Sequence, residues 1–109
     1  MKRLAFLGRS RDDLSRFPEE ARRKAGYQLN RVQQGLEPED WKPMPGIGAG
    51  VREIRVRAES GAWRVIYVAA FEEAIFVLHA FQKKTQRTAA LDIELARTRY
   101  RQLAKERGK

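Results

Sequence analysis

Apolar residues recur along this chain in two rhythms. From Phe17 onward they fall at Phe17, Ala21, Ala25, Leu29 and Val32, a spacing of three to four that makes one helical stripe. Pro18 suits the first turn of that helix, Glu19 and Glu20 suit its positive end, and Gly35 stops it. Ahead of it, residues 3–7 predict a short strand. Residues 10–17 predict a short helix, with Ser10 as its cap and Asp12 and Asp13 in its first turn. Residues 36–50 are rich in Pro and Gly and read as a loop carrying Trp41 and the run PMPGIGAG.

From residue 51 the rhythm changes to two. In VREIRVR, residues 51–57, Ile54 and Val56 share one face of a strand, while Glu53, Arg55 and Arg57 share the other. The turn AESG leads into WRVIYV, residues 63–68, so the two segments predict an antiparallel hairpin. A turn near residues 71–73 precedes residues 74–81, which are apolar almost throughout, as a central strand buried on both faces should be. By strand parity His79 shares a face with Val77, Phe81 and Lys83. Thr88 caps a final helix whose stripe is Ile93, Ala96, Tyr100 and Leu103. The order strand, two helices, three strands, helix predicts a single α+β domain over residues 1–109, with a mostly antiparallel sheet packed against helices.

Charge narrows the function. The 109 residues carry a net charge of +9, and the pI is about 10.5. The excess is +3 in residues 1–50 and +6 in residues 51–109. The expected partner is therefore acidic: RNA, DNA, the ribosome or an acidic protein, ahead of an anionic membrane. With no cysteine, disulfides and thiolate metal sites are excluded. With one histidine, so are a His-rich metal site and a two-histidine mechanism, and no cofactor is expected. No segment approaches the ~20 apolar residues of a membrane helix, and the apolar run in MKRLAFLG is too short for a signal-peptide core. These features lead to the expectation of a cytoplasmic protein.

The candidate chemistry lies in arginine and lysine. In FVLHAFQKKTQR, residues 76–87, an apolar strand runs into two adjacent lysines. Arg55 and Arg57 stand about 7 Å apart at ~3.3 Å per residue, close to the spacing of successive phosphates. Each guanidinium can donate two parallel hydrogen bonds to a phosphate. Arg64, on the partner strand, joins them if the register allows. Lys83 and Lys84 repel each other, which lowers the pKa of one or both and opens a proton-accepting role beside a phosphate-holding one. Each feature has a plainer alternative. Arg55 and Arg57 fit a solvated strand face with Glu53 as local partner. Arg64 fits an ion pair with Glu72 or Glu73. Lys83 and Lys84 fit a solvated charge run, and His79 fits a hydrogen-bonded core residue. GIGAG follows prolines and opens a strand, which is not the setting of a phosphate-binding glycine loop. Trp41 and Trp63 could stack on bases, with core packing the better reading of Trp63. No paired carboxylates and no Ser or Cys nucleophile motif stand out. If the chain is an enzyme it works mainly with Arg and Lys, which suits RNA cleavage by attack of the ribose 2′-hydroxyl on the adjacent phosphate, with the developing charge held by guanidinium groups.

The combination of VREIRVR, GAWRVIYV, FVLHAFQKKTQRT and a downstream IELARTRY resembles the RelE/HigB superfamily of type II toxins, in its HigB-like, phage-derived branch. The resemblance runs from about residue 51 to residue 100. It implies a compact sheet with helices on one side and metal-independent endonucleolytic cleavage of mRNA on the ribosome. It also implies a helix-turn-helix antitoxin as protein partner. It assigns the phosphate-holding and activating positions to Arg55, Arg57, Arg64 and Lys83 or Lys84. Where superfamily members carry a tyrosine or histidine near the start of the last helix, this chain has Thr85 and Thr88, and the nearest aromatic is Tyr100. Either a lysine or the ribosomal RNA then supplies the general base, or the toxin is weak. The alternative is a non-catalytic basic protein of phage origin that binds nucleic acid or a partner.

Overall fold

The computed structural model describes residues 1–85 and 88–108. Gln86 and Arg87, the last two positions of the 76–87 stretch, lie outside the described residues. The elements run β1 (Arg3–Phe6), α1 (Ser10–Ser15), α2 (Glu19–Gln33), β2 (Trp41–Pro43), β3 (Val51–Ala58), β4 (Gly61–Val68), β5 (Ala74–Lys83) and α3 (Ala90–Gly108). One five-stranded sheet has the order β1-β5-β4-β3-β2. β1 joins β5 in parallel, and every other pairing is antiparallel. The predicted α+β class and the mostly antiparallel sheet stand.

The helices cover both faces of the sheet, not one. The α2 stripe of Ala21, Ala25, Leu29 and Val32, with Phe17 ahead of it, packs on Ile54, Val56, Trp63, Val65, Tyr67 and Val77. On the opposite face Ala96 and Leu103 of α3 pack on Val51, Ile66, Val68, Phe76 and Leu78. A central strand sandwiched in this way must be apolar on both sides, which is the pattern of β5, buried from Ala74 to Ala80. No helix of the described residues is long and apolar enough to cross a membrane.

Four local expectations are corrected. The loop of residues 36–50 contains β2, whose three residues pair with Arg52, Glu53 and Ile54. Its Pro43 is tolerated because β2 is an edge strand that needs no outward N–H. Ser10 does not cap α1. It is the helix's first residue, and its hydroxyl donates to the Val77 carbonyl at 3.1 Å, which anchors α1 to β5. Thr88 lies two residues ahead of α3, and its hydroxyl donates to Glu53 at 2.7 Å. Finally, the β4–β5 register shifts between Ile66 and Tyr67, which pair with His79 and Val77. This bulge breaks the period of two. Leu78 packs on the α3 face and Val77 on the α2 face, so His79 shares its face with Phe81 and Lys83 but not with Val77.

Candidate nucleic-acid interface

The register sets three rows of side chains across the face that α3 only partly covers. One row is Lys42, Glu53, Ile66 and His79; the next is Arg55, Arg64 and Phe81; the last is Arg57, Ala62 and Lys83. Arg55 and Arg64 are direct cross-strand partners, a juxtaposition of like charges that destabilises a sheet unless something compensates it. Arg57 and Lys83 stand one row further along. The structure thus brings together Arg55, Arg57, Arg64 and Lys83. Lys84, one residue past the strand, is exposed.

Glu53 compensates the cations from beneath. It is 1% exposed and lies 3.6 Å from Arg64 Nε, itself buried, and it accepts the Thr88 hydroxyl. The ion-pair alternative for Arg64 is therefore met by Glu53 and not by Glu72 or Glu73. Glu73 instead pairs with Arg107 at 2.7 Å. Arg64 also donates from Nη1 to the Trp63 carbonyl at 3.1 Å, which fixes the direction of the guanidinium. Arg55 lies 3.6 Å from Asp40. Arg57 is exposed; its carbonyl accepts the Lys24 ammonium at 2.8 Å, and its guanidinium has no ion pair among the described residues.

Burial pulls the Arg64 pKa down, with Arg55 and Arg57 acting in the same direction and Glu53 opposing them. The Lys83 pKa is also lowered, first by loss of solvent and then by Arg64, Lys42 and Arg55. The neighbouring cations behind that shift lie across the sheet; Lys84, the expected cause, is not among them. Lys42 is the member of the cluster that sequence reasoning missed, because its strand was read as loop. Its pairing with Glu53 sets it on this face.

Several candidates fall elsewhere. Trp63 packs on Phe17 at 4.6 Å between ring centroids, in the core as expected. Trp41 pairs with Ile54, on the α2 face, and Arg52 lies over its ring at 4.0 Å. Neither tryptophan belongs to the basic face. His79 is buried, its Nε2 is 2.7 Å from Asp92 Oδ1, and its ring stacks on Phe81. The glycine run seats α3. A side chain at Gly48 would collide with the Tyr100 ring at 2.3 Å, and the Tyr100 hydroxyl donates to the Ala49 carbonyl. Tyr100 is thus engaged with that loop. Among the described residues no group of three or more His, Asp or Glu is placed to hold a metal.

A double arginine-to-alanine variant of the E. coli toxin RelE, solved in the free state, aligns with a TM-score of 0.63 and 15% identity. The alignment covers 94% of this chain and 97% of that one, and at this identity the likeness is one of fold. No curated protein matches the sequence. A family model described as phage derived protein Gp49-like matches residues 12–101. The chain belongs to that family, a RelE/HigB-like family of toxins of toxin–antitoxin systems.

Proposed function

We propose that the protein is a ribosome-dependent mRNA endoribonuclease that works without a metal and is held in check by a helix-turn-helix antitoxin. The observation that carries the reading is the cross-strand pair Arg55–Arg64, with Arg57 and Lys83 beside it, over one buried carboxylate. Glu53 and Asp40 offset part of this charge, and a phosphate held among the cations offsets the rest. Arg55 and Arg57 hold the RNA backbone, and Lys84 adds an exposed cation at its margin. Arg64, aimed by Glu53 and the Trp63 carbonyl, stabilises the charge that develops on the phosphorane oxygens when the 2′-hydroxyl attacks. In this reading Lys83, whose pKa is lowered, takes or returns the proton.

A second reading, a non-catalytic binder of nucleic acid or a partner, draws on the pairing of Arg55 with Asp40 and of Arg64 with Glu53, which already satisfies two of the cations. Induced expression in a bacterial host separates the two. Wild type should arrest growth and leave mRNA 5′ ends inside translated codons. Arg57→Ala and Lys83→Met, which leave Glu53 paired, should lose both effects while melting no lower than wild type. Normal growth with intact mRNA, at verified soluble expression, would favour the binder.

A further inference from the structure

We infer that Phe81 is a stacking platform for a nucleobase of the strand whose phosphates the surrounding cations hold. The inference rests on the RNA reading above and deepens it. β5 buries its large apolar side chains from Ile75 to Leu78, yet Phe81 is partly exposed, at the β5 end of the row that holds Arg55 and Arg64. Arg64 is its direct cross-strand partner, about 5 Å away between Cα atoms. Lys83 lies on the same face of β5, one row further along.

One face of the ring is already covered. The His79 imidazole stacks on it with centroids 4.8 Å apart and planes 20° apart. His79 is in turn fixed by Asp92 of α3 at 2.7 Å, so the two-ring stack is anchored to the core before any ligand binds. The ring also packs against the core on the α3 side and remains partly exposed. Among the described residues, the guanidinium groups that lie over aromatic rings are Arg52 on Trp41 and Arg107 on Phe76; the Phe81 ring carries none. A partly exposed ring backed on one face by His79, beside phosphate-binding cations, matches the way single strands are held, by base stacking beside backbone neutralisation. A phenyl ring offers no hydrogen bonds, so the platform accepts any base and favours purines by area.

The test is a fluorescence titration of purified wild type and Phe81→Leu. One probe is a short single-stranded RNA bearing 2-aminopurine; the other is inorganic polyphosphate, which has the charge but no bases. Phe81→Leu should lose about tenfold in RNA affinity, the low end of what one stacked base contributes, along with the 2-aminopurine quench. Polyphosphate affinity should not change, and Phe81→Tyr should behave as wild type. Equal RNA affinity and quench in Phe81→Leu would overturn the platform and leave the RNA reading standing. Parallel loss of polyphosphate would also overturn it, because the substitution would then act on the cations. Failure of wild type to bind the RNA would overturn both.

Discussion

Replacing Glu53 by Gln removes the carboxylate beneath the cations while keeping the shape of the side chain and an oxygen for the Thr88 hydroxyl. Glu53 is 1% exposed and Arg64 7%, and Nε of Arg64 lies 3.6 Å from the carboxylate, so the lost charge is not replaced by water. Breaking one side of a buried ion pair costs ~3–5 kcal/mol, mostly because the remaining charge stays buried without compensation. The retained Thr88 bond places the expected loss at the lower end, about 3 kcal/mol. For 109 residues, unfolding entropy of ~2.1 cal/mol/K per residue gives ~0.23 kcal/mol/K, so the melting temperature should fall by about 13 °C. Thermal unfolding followed by circular dichroism measures this directly. The exposed carboxylate of Glu39 serves as control, and Glu39→Gln should stay within about 2 °C of wild type. The double substitution Glu53→Leu/Arg64→Leu should unfold above Glu53→Gln, because it removes both charges and leaves neither stranded. A Glu53→Gln melt within about 2 °C of wild type would refute the argument that this carboxylate compensates Arg64.

Two further outcomes follow from the same geometry. The lowered pKa of Lys83 means that the folded chain gives up this proton before the unfolded chain does. Between the folded value and the ordinary lysine value of ~10.4, the unfolded state binds more protons, so stability rises with pH there; below that window the penalty is fully present. Lys83→Met should therefore melt above wild type at pH 7, by a margin that shrinks as pH rises toward 10.5. A margin independent of pH would show that the charge of Lys83 is not its source. Gly48→Ala forces a Cβ into the Tyr100 ring, whereas Gly46→Ala meets nothing within 4 Å. The first should cost about 1–3 kcal/mol and the second should cost little, as urea unfolding would report; equal losses would mean that the ring does not depend on that close approach.

What was legible in the sequence was whatever period alone could carry. The α2 stripe, the Ile54 and Val56 face of β3 and the apolar run of β5 are each buried as their spacing assigns, and Arg55 and Arg57 share a face for the same reason. What was not legible depended on register and on single hydrogen bonds. The direct opposition of Arg64 to Arg55 follows from the two-residue turn that joins Ala58 to Gly61, and a shift of one residue would have turned Arg64 into the core. The bulge after Val77 has no signature in FVLHAF, yet it decides that Val77 leaves the face of His79. β2 escaped notice because three residues ending in proline carry no period, and Lys42 went with it. Thr88 illustrates the same limit from the other side. Its position before a helix fits a cap, and only the fold reveals a buried carboxylate within 2.7 Å that takes its hydroxyl instead. The sign and approximate place of the basic face could be inferred from residue order. The buried Glu53 that makes the face tolerable could not, because in the alternating pattern of VREIRVR a structural carboxylate and a solvated one look alike.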